Sequence, residues 1–381
     1  MSLPVPTPAA QAISEQLTQR IAREIAESGW ISFARYMELA LYAPGLGYYS
    51  AGAAKFGAAG DFVTGPEISP LFGRSLAHQV AQVLTITGGN VLEVGAGSGR
   101  LACDLLAELA RLDRLPQRYC ILEVSADLRE RQQQLIAGEL PALAERVVWL
   151  DSLPATFTGC IVGNEVLDAM PVHVLHWHDG GVAERGVAWE HQRFVWRDRA
   201  LPDGHLRELA QAIPAGDDYI SEIGLAAQGF IGSLAQCLSV GVVILIDYGF
   251  GESEYYHPQR DQGTIMCHYR QHAHDDPFYL PGLQDITAHV DFTAVTVAAI
   301  DAGLNLAGYT SQAQFLINCG ITDLLAQTPA DDAAAYIPQV TAAQKLMSPA
   351  EMGELFKVLA LSRGLDMPLL GFTQGDQRRR L

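Results

Sequence analysis

Apolar residues at Ile13, Leu17, Ile21 and Ile25 recur every four positions between Thr7-Pro8 and Gly29. That spacing lines one face of a helix, with Thr7 as its cap, proline at its first position and glycine at its end. A second helix is expected to start after Ser32 and stop before Pro44. There follows a glycine- and tyrosine-rich loop, Gly45 to Pro70, too long to be a mere connector. Ser69-Pro70 then opens a helix towards Leu84.

From Asn90 the rhythm changes. Short β-rich runs (Val91 to Val94, Tyr119 to Val124, Val147 to Leu150, Cys160 to Gly163) alternate with helical stretches ending near Leu112 and Ala137. This alternation predicts a parallel sheet covered by helices. VVILID, Val242 to Asp247, has the continuous apolar character of a strand buried on both faces. Between these strands, residues 172–239 hold three alternating aromatic-rich runs (Val172 to Trp177, Val182 to Trp189, Phe194 to Arg197) and then helical segments. They read as an inserted antiparallel meander with helices.

Beyond Asp247 a loop rich in histidine, tyrosine and proline is expected to reach Asp291, followed by a helix, a strand near Leu304 to Tyr309 and a mostly helical tail. Ser348-Pro349-Ala350-Glu351 reads as a capping box that starts a helix. Phe356 to Leu361 read as a closing strand, and Gly375 to Leu381 as disordered. The expected division is N-terminal helices and an active-site loop over 1–85, a core over 86–171 and 240–381 with helical C-terminal additions, and an insertion over 172–239.

Composition narrows the class. With 49% hydrophobic and 18% charged residues the chain is globular, and no apolar run approaches the ~20 residues of a membrane span. The first thirty residues lack a basic-then-apolar signal and carry Glu15, Glu24 and Glu27, so a cytoplasmic address is expected. The six cysteines are scattered without a C-x-x-C pair and read as free thiols. A formal charge of -18 argues against a nucleic-acid partner and suits a cationic one. No metal is expected: His268, His272, His274 and His289 match no ligand spacing, and His173, His176 and His178 read as ordinary histidines beside a strand. There is no G-x-S-x-G elbow and no P-loop.

The chemistry concentrates in VLEVGAGSG, Val91 to Gly99. Gly95, Gly97 and Gly99 lie between a buried strand and a helix, where the backbone can approach a ligand with the helix N-terminus behind it. A dinucleotide fingerprint would need a small residue at position 100, which is Arg100. The G-x-G-x-G spacing with Glu93 inside the strand is instead the pattern for S-adenosylmethionine. Glu123 ends the second strand, where a carboxylate can take both ribose hydroxyls, and Asp151-Ser152 close the third, near the expected adenine. After the fourth strand come Asn164, Glu165 and Asp168. If Asn164 caps a helix, both carboxylates share a face of its first turn. Beside a methyl donor such a pair could hold a guanidinium bidentately and favour its proton loss, which points to an arginine acceptor. A small-molecule or other side-chain acceptor, and a cofactor-binding assembly chaperone without turnover, stay open.

GDFVTGPEISPLFG (Gly60 to Gly73), VLEVGAGSG, NEVLDAMPV (Asn164 to Val172), DYGF (Asp247 to Phe250) and DITAHVDF (Asp285 to Phe292) together resemble the MidA family, from about Tyr36 to Leu361. The family includes the mitochondrial complex I assembly-factor methyltransferase and its bacterial relatives. The resemblance implies an α/β class I S-adenosylmethionine-dependent methyltransferase fold, Rossmann-like, with an N-terminal helical segment and insertions. For the mitochondrial member it implies symmetric dimethylation of an arginine on a peripheral-arm subunit of complex I. It carries cofactor binding onto Gly95, Gly97 and Gly99 and a substrate role onto Asn164, Glu165 and Asp168. It makes Asp61, Thr64, Glu67 and Ser69 a lid-like loop beside the cofactor.

Overall fold

The computed structural model describes residues 3–50, 64–329 and 331–381. It falls into two compact units: the described residues of Met1–Phe62 with Leu167–Gly229 and Phe250–Asp291, and those of Val63–Val166 with Phe230–Gly249 and Phe292–Leu381. The three-part division expected from the sequence groups the chain differently. The N-terminal helices share a unit with the meander because the two-residue strand Ile31–Ser32 pairs with Gly186 and Val187 of the meander.

In this first unit the helix Pro8–Ser28 has the ends its sequence announces. Thr7 accepts a hydrogen bond from the Ala10 amide, and Gly29 closes the helix at φ 72° with its amide on the Ile25 carbonyl. Leu17, Ile21 and Ile25 are buried. Ser32 caps the next helix, Phe33–Tyr42, through the Arg35 amide. The meander forms as expected from His173–His178, Gly181–Glu190 and Arg193–Ala200. It also gains a strand that the sequence reading missed, Tyr219–Ile223, paired with His173–His178. The histidine-rich segment, expected as a loop, holds a small antiparallel sheet of Met266–Tyr269, His272–His274 and Asp285–Thr287. Glu222 anchors the segment: its buried carboxylate accepts from the Thr264 amide and hydroxyl at 2.8 and 3.0 Å.

The second unit is a doubly wound sheet. Among the described residues its main path runs through β1 (Asn90–Val94), β2 (Tyr119–Leu122), β3 (Val147–Leu150), β4 (Phe157–Asn164), β5 (Leu238–Phe250), β6 (Asn305–Ser311) and β7 (Phe356–Arg363). Their order is β3-β2-β1-β4-β5-β7-β6, with β7 antiparallel to both neighbours. The strands are apolar on both faces because helices cover both, and Leu92, Ile161, Val243 and Leu359 are fully buried. The chain winds one way from β1 through β3 and the other way from β4, so the carboxyl ends of β1 and β4 flank the topological switch point where such sheets bind ligands. Tight spacing at the opposite end requires glycine: a Cβ on Gly159 or Gly241 would stand 2.0 or 1.9 Å from the carbonyl oxygen of Asn90 or Gly159.

Two local readings are corrected. Ser348-Pro349-Ala350-Glu351 starts no helix: Ser348 terminates the helix Ala333–Met347, and its carbonyl accepts from Glu351 and Gly353 in a run of turns before β7. The last residues are ordered, with the Gln377 amide on the Tyr309 carbonyl at 2.6 Å and Arg378 paired to Asp376. The second departure comes from pairing with β6, where Asp376 accepts from the Tyr309 amide, a partner that local patterns do not encode.

Candidate active site

The turn after β1 is built on three glycines in the left-handed region: Gly95, Gly97 and Gly99 at φ 64°, 53° and 88°. A side chain at any of them would be strained, so the run is held by composition. The Gly95 amide reaches the Leu122 carbonyl, and Gly99 forms the N-terminal cap of the helix Arg100–Arg111 without a side-chain bond. Arg100 turns away from the loop to Glu139 and Asp104.

Glu123 follows β2 and is buried rather than a solvated strand-end acid, at 5% exposure. Its carboxylate accepts from the Ser125 amide at 2.9 Å and from Gln132 Nε2 at 3.0 Å. Gln132 was missed from the sequence, although it is the hub here. The same amide donates to the Gly97 carbonyl, and its oxygen accepts from Trp149 on β3. Its position on the inner face of the helix Ala126–Glu139 was the available signal. Asp151, by contrast, is 91% exposed and pairs with Arg129, and Ser152 is exposed beside it.

Glu93 is buried within β1 and accepts from the Tyr119 hydroxyl at 2.6 Å. Burial pushes its carboxyl up to about 7, against the opposing effect of that hydrogen bond. Thr64 precedes the short helix Gly65–Ile68. Glu67 on that helix accepts from the Ser98 hydroxyl, in the glycine turn. Ser69 caps the next helix through Leu71. Asp61 lies outside the described residues.

The Asn164 motif differs from expectation. No helix starts there: Asn164 is still paired in β4, and Glu165 adopts φ 52° with its amide on the Ile246 carbonyl of β5. Strand pairing thus takes the backbone that a helix would need, and Glu165 and Asp168 do not share a helical turn. The Glu165 carboxylate accepts from Asn164 Nδ2 at 3.0 Å and from the Gly65 amide at 3.4 Å. Asp247, buried at the end of β5 and not singled out beforehand, accepts from the Val166 amide and fixes this turn. Asp168 belongs to the first unit. It is buried, and its carbonyl accepts from Ala288. In that unit Tyr49 donates to Asp285 at 3.1 Å; its phenol is pushed up by burial and by Asp285, Tyr42, Tyr48 and Asp168.

In the second unit, then, a left-handed glycine turn stands before a helix N-terminus, a buried acid follows the next strand, and a second carboxylate follows β4 across the switch point. These groups fit an S-adenosyl cofactor, with Glu123 suited to the ribose hydroxyls and the glycine turn to close backbone approach. Fold and turn together define a class I S-adenosylmethionine-dependent methyltransferase.

Comparison with known proteins agrees. The model of a family of S-adenosyl-L-methionine-dependent methyltransferases matches residues 75–310. The chain belongs to this family, the MidA family. A superfamily member from Burkholderia thailandensis, crystallised with S-adenosyl-homocysteine, is 51% identical with a TM-score of 0.97, each chain covered completely. The mitochondrial protein arginine methyltransferase NDUFAF7 homolog of Drosophila melanogaster is 28% identical over 94% of this chain and 88% of its own length. Protein arginine methyltransferase NDUFAF7 of Bos taurus is 29% identical over 93% and 85%. The cofactor of this chain is S-adenosylmethionine. Among the described residues no helix is long and apolar enough to cross a membrane.

Proposed function

We propose that this methyltransferase acts on an arginine side chain of a protein substrate, with a peripheral-arm subunit of respiratory complex I as the partner the resemblance implies and the cytoplasm as its compartment. The observation that supports an arginine acceptor is Glu165. It ends β4, next to the strand that carries the glycine turn, and a left-handed backbone and the Asn164 amide hold it. The bound cofactor supplies an electrophilic methyl group on a sulfonium. A guanidinium nitrogen would offer its lone pair to that methyl carbon, the C–S electron pair would stay on sulfur to leave S-adenosylhomocysteine, and the displaced N–H proton would pass by way of the Glu165 carboxylate to solvent. In this reading Glu165 orients the guanidinium and localises its charge away from the attacking nitrogen. Asn164 holds that carboxylate, and Asp168 is the second acidic residue assigned to substrate. In the cofactor site Glu93 and Tyr119 support the turn, Gly95, Gly97, Gly99, Glu123, Thr64 and Glu67 surround the cofactor, and Asp151 and Ser152 stand at its adenine end.

Mass spectrometry of arginine methylation in cells with and without the protein tests the acceptor, and a methyl label found on a metabolite and never on protein would overturn it. Glu165→Gln and Asp168→Asn are each expected to lose arginine methylation while calorimetry still detects S-adenosylmethionine binding. Undiminished methylation in both variants would remove the carboxylates from the mechanism.

A further inference from the structure

The meander of the first unit carries a cluster of metal-ligating side chains that the methyl-transfer site does not use. His176 and His178 are two residues apart in the strand His173–His178, so both imidazoles leave the same face, with ring centroids 4.6 Å apart. Asp198, in the strand Arg193–Ala200, places Oδ2 2.7 Å from His176 Nδ1. Asp218 places Oδ1 3.2 Å from His176 Nε2, and Asp179 lies 3.3 Å from His178 Nδ1. Arg185, on the strand between, donates through Nε to Asp198 Oδ1 at 2.8 Å and through a terminal nitrogen to Oδ2 at 3.0 Å. That same terminal nitrogen lies 2.9 Å from His176 Nδ1.

These contacts conflict. Nδ1 of one imidazole either carries a proton and donates to the carboxylate, or is bare and accepts from the guanidinium; it cannot do both. Coordination to a cation would replace both demands with one bond. We infer that His176, His178 and Asp198 bind one divalent transition-metal ion, with zinc as the best match. Two imidazoles and one carboxylate suit zinc, whereas magnesium and calcium prefer all-oxygen shells. One ligand atom from each of the three lies within 4.8 Å of the others. Tetrahedral zinc with bonds of 2.0–2.1 Å needs ligand atoms roughly 3.4 Å apart, so rotamer-scale shifts complete the set. The charge also balances: with neutral imidazoles, Asp179, Asp198 and Asp218 against Arg185 leave two negative charges for a divalent ion. The site would tie the strands His173–His178 and Arg193–Ala200 across the strand Gly181–Glu190 between them.

The test is titration of the untagged full chain with zinc chloride by calorimetry, with cobalt(II) absorption reporting coordination geometry. Wild type is expected to take up an equivalent of zinc that His178→Gln and Asp198→Asn lose, with affinity falling by more than the 10–100-fold typical of outer-shell changes. Arg185→Gln is expected to bind zinc more tightly, because it removes a competing cation. That gain could not come from a damaged fold. Failure of wild type to take up zinc, binding undiminished in His178→Gln and Asp198→Asn, or an Arg185→Gln protein that binds no tighter would each overturn the site.

Discussion

Glu93 makes the methyltransferase unit sensitive to pH in a direction opposite to that of most carboxylates. Its side chain sits in β1 at 2% exposure and accepts from the Tyr119 hydroxyl, and burial raises its carboxyl from 4.5 to about 7. An acid whose folded value is raised contributes fully below its unfolded value and loses that contribution as pH climbs towards the folded one. Across the whole window the shift corresponds to about 3 kcal/mol at 1.36 kcal/mol per unit. Between pH 5 and pH 8 most of this, roughly 2–3 kcal/mol, is lost. Glu93→Gln removes the titration while keeping an oxygen for Tyr119. Urea unfolding of both proteins at the two pH values, followed by fluorescence and circular dichroism, isolates the effect because every other titration cancels. The variant should gain on wild type by roughly 2–3 kcal/mol on going to pH 8. A difference that stays constant, or shrinks, as pH rises would refute the assignment of a buried, neutral carboxyl.

Gly97→Val puts a β-branched residue at φ 53°, a strain of roughly 1–2 kcal/mol. Calorimetry should show S-adenosylmethionine affinity reduced about tenfold or more. Glu108 behaves oppositely to Glu93: although burial opposes it, hydrogen bonds from Arg111 and Arg74 hold its carboxyl down to about 2. Its stabilising contribution is present above about 4.5 and lost as pH falls towards 2, so Glu108→Gln should lower the urea midpoint at pH 6 more than at pH 3. At Gly186 a Cβ would stand 2.3 Å from the Ile31 carbonyl and from the Trp30 ring, so Gly186→Ala should cost the first unit about 1–3 kcal/mol, read as a lower thermal midpoint.

Local chemistry determined a great deal from sequence alone. Caps at Thr7, Ser32 and Ser69, the glycine stop at Gly29, the buried parallel strands and the three-strand meander all stand where periodicity and capping placed them. The glycine turn was legible for the same reason: positive φ at Gly95, Gly97 and Gly99 is a backbone demand that composition records directly. Other features depended on partners distant in the chain. Asn164 carries a helix-cap signal, yet β5 captures its backbone and that of Glu165, so no helical turn forms there for the two carboxylates to share. The hub role of Gln132, the support of Val166 by Asp247 and the burial of Glu123 arise only when β1, β2, β4 and β5 lie side by side. His176, His178 and Asp198 looked ordinary because the residues that bring them together are separated by a hairpin and a strand. A residue's own spacing fixes which element it joins, whereas its partners depend on the packing of elements far apart in the chain, and only the tertiary structure decided those.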